Sequence, residues 1–272
     1  MRYLYKWLLT MCLFLSMGTC WGGWVISETI TDNFGNKSSR STFIQQNLIR
    51  FEDASSITIL NLNDSSITIV FSTLRAYWQG SPAELIEGMI DAFDVQAQTL
   101  ILDLPYDQQP IYQQMYDSIK QQLKSPDTQV GSNQLKLIKL DSLAFIGEYK
   151  AGAYQIITDS TLKEEFWVTQ EVKPYSEVDI PLFISINNRI NPYSRKGYTL
   201  DSEEYIRLLS EGLIVKSTKP GENGHFIETQ LKSVKQFQIP VDFFYPPVNY
   251  RKVSLVDVLN LPVIDPEEGQ DK

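Results

Sequence analysis

Side chains suited to acid–base or nucleophilic chemistry are few in this sequence and lie far apart. Its only histidine, His225, follows a Gly-Glu-Asn-Gly turn, and the chain contains no Gly-x-Ser-x-Gly motif. A serine hydrolase needs its histidine beside a positioned nucleophile and a carboxylate. We therefore interpret His225 as an exposed hairpin residue and not as a catalytic base.

Two pairs of adjacent glutamates are the other candidates for acid–base chemistry. Glu164 and Glu165 fall in a predicted strand, where neighbouring side chains point to opposite faces and cannot act on one substrate atom. Glu203 and Glu204 begin a predicted helix, where acidic residues suit the helix dipole. We expect both pairs to be structural or solvated. A glycosidase built from carboxylates distant in sequence stays open as a third, weaker alternative.

The N-terminus and the cysteines predict export. The first six residues carry two positive charges, and an apolar run and small residues follow, so residues 1–20 read as a secretory signal peptide. The two cysteines are Cys12, inside that peptide, and Cys20. Simple cleavage near residues 18–22 and lipidation of Cys20 both stay open. We expect a bacterial periplasmic protein that reaches a membrane only through a lipid at Cys20.

Composition narrows the class of protein. The chain has 272 residues, of which 43% are hydrophobic and 21% charged, as expected of a globular protein with a real core. Its net charge of −9 argues against binding to nucleic acid and to anionic membranes. A single histidine and no cysteine after Cys20 argue against a zinc site. We expect neither a metal nor another cofactor.

Residues 47–78 predict a three-stranded meander, because β-branched residues alternate there with a period near two. Ile67, Ile69 and Phe71 fall on one face of the last strand and Val70 on the other. We expect one face to be buried and the other to meet water. The predicted strands of the chain are 24–31, 39–46, 48–52, 56–62, 67–78, 135–149, 153–158, 162–172, 213–219 and 226–239, with residues 243–247 closing the sheet.

The clearest start of a helix is at Ser81. Ser81 suits the N-cap, Pro82 the first helical position, and Glu84 completes a capping box, so a helix should run to about Phe93. Residues 94–104 fit either a strand or a helix. Further helices are predicted at 110–123, 180–190, 199–212 and, as one short turn, 254–259.

Hairpins and not crossover helices join most of these strands, which predicts an antiparallel sheet. Nine or ten strands in one sheet should curl. The expected fold is therefore α+β. A single domain should span residues 23–261, followed by a flexible acidic tail at 262–272.

A set of short segments occurs in a recognisable order along the chain: 49–52, 59–62, 67–71, 77–78, 145–154, 164–169, 239–240 and 243–250. This order resembles a family of exported bacterial proteins, the domain of unknown function numbered 4412. Its members are similar in fold to the periplasmic lipoprotein carriers LolA and LolB. The resemblance implies a single strongly curved antiparallel sheet, an open half-barrel with helices packed on its concave face. It implies no catalytic residue.

Aromatic and aliphatic side chains of the strands are the candidate site. Their ordinary interpretation is core packing, but a curved sheet under helices can also leave an apolar cavity. The candidate cavity residues are Trp24, Ile26, Ile69, Phe71, Trp78 and Phe166. The leading hypothesis is a non-enzymatic carrier that holds a lipid acyl chain or another apolar ligand between sheet and helices. The alternative is an interaction or structural module of the cell envelope, with a filled core and a protein partner.

Overall fold

Alternating apolar residues build twelve strands in the described part of the computed structural model, which covers residues 22–54, 56–124, 135–158, 161–190, 202–221 and 225–259. The predicted signal peptide, Cys20 and the acidic tail lie outside these residues. The strands are β1 (Gly23–Asp32), β2 (Lys37–Gln45), β3 (Leu48–Glu52), β4 (Ile57–Asn61), β5 (Ser66–Phe71), β6 (Ala76–Gly80), β7 (Leu135–Ile146), β8 (Tyr149–Thr158), β9 (Thr161–Thr169), β10 (Leu213–Pro220), β11 (Phe226–Phe237) and β12 (Arg251–Lys252).

All twelve strands form one sheet in the order β12-β6-β5-β4-β3-β2-β1-β11-β10-β9-β8-β7. Each neighbouring pair is antiparallel except β12 and β6, which are parallel. The sheet therefore consists of two meanders. The first meander comprises β1–β6 and the second comprises β7–β11. They are joined where β1 pairs with β11, with Gly23 opposite Phe237. The α+β class and the mostly antiparallel sheet are confirmed. The sheet is not closed, but twelve strands exceed the nine or ten expected and are more than a single half-barrel.

Five helices accompany the sheet in the described residues: α1 (Pro82–Leu102), α2 (Gln109–Lys124), α3 (Ile180–Ile190), α4 (Glu203–Glu211) and α5 (Leu255–Leu259). The predicted capping box starts α1: the Glu84 amide donates to Ser81 Oγ at 3.3 Å and the Ser81 amide to Glu84 Oε2 at 2.6 Å. The ambiguous stretch after Phe93 continues this helix, because neither Gly nor Pro interrupts it before Pro105. No helix in these ranges is long and apolar enough to cross a membrane.

One face of the sheet packs against the helices and is called here the helix-covered face. The first core cluster lies between this face and helices α1 and α3, and its buried members are Ile26, Ile44, Ile49, Leu60, Leu62, Ile67, Trp78, Leu85, Ile186 and Leu213. The second core cluster lies between β8, β9, α3 and α4, with buried members Ile156, Phe166, Val168, Ile180, Ile184, Tyr205, Leu208 and Leu209. Helix α3 contributes to both clusters and joins them.

The opposite face of the first meander is also buried, which corrects the expectation that it meets water. Val70 and Ile59 pack there against Ile239 and Phe244. Residues 243–247 were expected to extend the sheet. Instead, a 3-10 helix at Val241–Phe244 crosses this face as a cover, and β12 takes the edge position.

Arg50 fastens that cover to the sheet. Its side chain is buried, its Nη1 donates to the Phe243 carbonyl oxygen at 2.6 Å, and it forms an ion pair with Glu52. The Phe243 ring lies over the guanidinium, 4.1 Å from ring centroid to Cζ. The buried charge is thus paired and hydrogen-bonded, as burial of a charge requires.

Candidate ligand-binding site

Five of the six candidate cavity residues come together in the first core cluster. Ile26 and Trp78 are buried within it, while Trp24, Ile69 and Phe71 are partly buried at its margin. The sixth, Phe166, is buried in the second cluster.

The strand register explains this grouping. Ile69 lies directly opposite Trp78, and Trp24 directly opposite Ile44, so their side chains share the helix-covered face. Gly80 leaves room for the indole: a Cβ atom there would lie 2.7 Å from Trp78 Cζ2. Trp78 can therefore pack close to the start of α1, where Leu85 joins the same cluster.

Aromatic contacts tie the helices to both clusters. Phe51 stacks on Phe183 of α3 with ring centroids 6.4 Å apart. Phe166 stacks on Tyr154 at 5.8 Å and meets Tyr205 of α4 edge-on at 6.3 Å. Such pairs stabilise beyond the area they bury. Phe166 in particular is enclosed by protein on both sides.

A buried carboxylate lies at the margin of the second cluster. Glu164 sits opposite Ile156, is 6% exposed, and its Oε2 is 3.5 Å from Lys219 Nζ. Burial raises the pKa of the Glu164 carboxyl, and Lys219 and Ser217 oppose that shift. Glu165 points away and accepts a hydrogen bond from Gln155 Nε2 at 2.8 Å. The two carboxylates diverge as expected, but Glu164 is not solvated.

A second polar group lies beside the first cluster. Tyr175 is half-buried, and burial, with a smaller effect of Glu28, raises the pKa of its hydroxyl to about 12. Glu28 pairs across the strands with Arg40, with 2.8 Å between Oε2 and Nη2. The charged pair at the border of the apolar region therefore already has its partners in the protein.

The hairpin of α1 and α2 presents an apolar stripe that the sequence analysis did not identify. Along α1, Leu85 is 4% exposed in the core, whereas Leu100, further along the same side of the helix, is 68% exposed. Ile111 of α2 is likewise 68% exposed, and Met115 and Ile119 follow it at four-residue spacing. We call these exposed residues, together with Met89, the hairpin stripe.

Tyr112, Tyr116 and Ile119 recur along α2 at helical spacing, but of these only Tyr116 is buried. Tyr116 stacks on Phe93 with ring centroids 5.0 Å apart, next to an ion pair of Lys120 with Asp94. The apolar residues at positions 111, 115 and 119, spaced four apart, are the sequence signal for the stripe. The spacing alone does not reveal whether another part of the protein covers these side chains.

The remaining sequence candidates do not form a reactive site. His225 is exposed, with Nδ1 3.0 Å from Asn33 Oδ1 and its ring against Phe34. Glu203 and Glu204 are exposed in the first turn of α4. In the ranges described, no three His, Cys, Asp or Glu side chains gather in a way that could hold a metal ion.

Comparisons with known proteins show only distant likeness. No family model and no curated protein matches the chain, so the resemblance to the family numbered 4412 stays a prediction. Among solved structures, an uncharacterized conserved protein from Thermus thermophilus is 7% identical with a TM-score of 0.42, covering 90% of this chain and 98% of that one. PNGF-II is 9% identical with a TM-score of 0.38, covering 87% of this chain and 32% of its own. A LolA-superfamily protein from Nitrosomonas europaea is 8% identical with a TM-score of 0.28, covering 83% and 90%.

Proposed function

We propose that the chain is an exported, non-enzymatic binding or carrier protein for an apolar ligand such as a lipid acyl chain. The ligand would lie between the helix-covered face and the α1–α2 hairpin, beside the partly buried residues Trp24, Ile69 and Phe71. Recognition would rest on burial of apolar surface and not on charge.

The hairpin stripe is the observation that supports this proposal most strongly. A helix normally buries its apolar stripe, and in α1 that burial ends after the first turns. Leu85 belongs to the first core cluster, while Met89 and Leu100 continue its side of the helix in the open. An exposed apolar surface continuous with a core marks a site for a ligand or partner.

Mass spectrometry of the purified chain tests the proposal directly. Native spectra should contain excess mass that is lost under denaturing conditions, and organic extraction should recover the ligand. The proposal would be contradicted by a bare polypeptide mass together with titrations in which neither a fluorescent fatty acid nor an uncharged fluorescent alkane binds. Excess mass that persists after denaturation would instead indicate a lipid covalently bound at Cys20.

The stripe itself is tested with matched variants. Replacing Met115 by Gln should weaken binding of the fluorescent alkane by about tenfold, because a buried apolar side chain contributes about 1.5–3 kcal/mol. Leu102→Gln is the control, since Leu102 is also exposed on the hairpin but lies about 160° around the helix axis from Leu100 of the stripe. Equal loss in both variants would show that the stripe has no special role.

The alternative is an interaction or structural module of the cell envelope with a filled core. The burial of Ile26, Trp78 and Phe166 favours it, because these candidates are already packed against protein. This alternative predicts that neither probe binds and that no lipid is recovered.

A further inference from the structure

The free edge of β7 is a surface that the proposed function does not use. β7 is the last strand of the sheet and pairs with β8 alone among the described strands. Its other edge presents a row of backbone N–H and C=O groups. Such an edge is a template for pairing with another strand, and proteins commonly block it.

The first part of β7 is blocked in the usual ways. Lys136, Lys139 and Asp141 place charges along it, and all three are exposed. The strand also bulges, because Lys139 pairs with Tyr154 and Leu143 with Gly152, which leaves three residues opposite one. Charges and bulges both discourage a further strand from adding to an edge.

The second part of β7 carries no such protection. No charged residue lies between Ser142 and Ile146, and the ladder with β8 is regular from Leu143 to Ile146. Leu143 is 68% exposed and Phe145 73% exposed, and both point to the same face by alternation. At the other end of the sheet, β12 is two residues long, and both are charged. The open, apolar stretch at residues 142–146 therefore contrasts with the rest of both edges.

We propose that residues 142–146 pair in antiparallel register with the same residues of a second copy of this chain. A two-fold axis at Ala144 places Leu143 of one subunit opposite Phe145 of the partner subunit, and the reverse. Two identical aliphatic–aromatic cross-strand pairs result, which is the self-complementarity that a two-fold interface requires.

Charges agree with this register. The partner strand ends at Ile146, so Lys136 and Lys139 extend beyond it and neither faces a lysine of the partner subunit. A contact of about five residue pairs is small, and the dimer should dissociate in the micromolar to millimolar range. The second copy extends the sheet across the β7 edge and leaves the α1–α2 hairpin free, so this association does not depend on ligand binding.

Sedimentation velocity of the purified full chain over a wide concentration range tests the proposal. Wild type should shift from monomer to dimer as concentration rises. Replacing both Leu143 and Phe145 by Lys sets lysines opposite each other and should weaken dimerisation about tenfold or more. The matched control combines Leu143→Lys with Phe145→Glu, which sets opposite charges across the axis and should restore the dimer at low salt.

The outcomes separate the proposal from other kinds of association. A wild-type chain that stays monomeric at millimolar concentration overturns it, and so does a dimer that the double-lysine variant leaves unchanged. Failure of the Lys/Glu variant to recover the dimer overturns the register. Both side chains are exposed, so all variants should keep the wild-type unfolding midpoint. The alternate amides of residues 142–146 that point away from β8 should gain hydrogen-exchange protection only in the dimer.

Discussion

At the scale of single residues, Glu164 makes stability depend on pH. Its folded pKa lies above the ordinary value of 4.5, because burial disfavours the charged form. The stability that protonated Glu164 contributes is therefore complete below about pH 4.5 and is lost as pH rises through the raised pKa. Glu164→Gln should gain free energy of unfolding relative to wild type as pH rises above about 4.5, as measured by urea denaturation at a series of pH values.

Lys219 supplies the second arm of that experiment. Its positive charge opposes the rise in the pKa of Glu164, so Lys219→Met should raise that pKa further. The variant should then lose more free energy of unfolding than wild type as pH rises. A difference between Glu164→Gln and wild type that stays constant with pH would contradict this account.

The sequence could predict some of these residue-level properties. Alternation along a strand is enough to separate Glu164 from Glu165 and Ile67 from Val70. It cannot predict that Lys219 and Ser217 enclose Glu164, because a separate strand brings them there. The contacts of Arg50 with Phe243 likewise join positions almost two hundred residues apart.

At the scale of elements, Gly212 fixes how closely α4 and β10 approach β9. A Cβ atom at Gly212 would lie 2.4 Å from the carbonyl oxygen of Thr169, a backbone atom that cannot move alone. Gly212→Ala should therefore lower the free energy of unfolding by about 1–3 kcal/mol. Gly152→Ala is the control, because its nearest neighbour would be Leu143 Cδ2 at 3.7 Å. Equal stability of the two variants would mean that the junction relaxes freely.

Elements with local signals were the most predictable. The capping box at Ser81 fixes the start of α1, and the apolar run of residues 180–190 is helical as expected. Residues 94–104 contain an apolar run that fits either a strand or a helix, and residues 94–102 continue α1. Residues 243–247 were wrongly expected to close the sheet, because aromatic and proline residues do not distinguish an edge strand from a segment that crosses the face of the sheet.

At the scale of the whole molecule, the first meander is held between two covers, and the second cover should contribute strongly to stability. Phe244 is 4% exposed beneath it, so Phe244→Ala should cost about 3–5 kcal/mol in urea denaturation. Phe237 is 61% exposed, and Phe237→Ala should change the free energy of unfolding by less than about 0.5 kcal/mol. A small effect at Phe244 would show that this face tolerates water, as the sequence had suggested.

The overall topology was only partly predictable. Hairpin signals give each meander, because their strands are neighbours in sequence. Nothing local indicates that β1 pairs with β11, since that register is set by packing among the helices and strands around it. The candidate site shows the same limit. Five of its six apolar residues lie in the first core cluster, but their role in ligand binding stays a prediction. The sequence also does not show whether other parts of the protein cover the hairpin stripe.

The pairing of β1 with β11 also governs how the chain acquires its structure. Contacts between residues so far apart in sequence form slowly, because a long loop must close before they can stabilise anything. The first meander can assemble early, but its outer strand β1 and its second face stay open until β11 and the 3-10 helix at Val241–Phe244 are available. A chain still being synthesised, or one truncated before Phe226, would therefore expose β1 as an unpaired edge strand. Such a chain should depend on chaperones or on rapid completion to avoid aggregation.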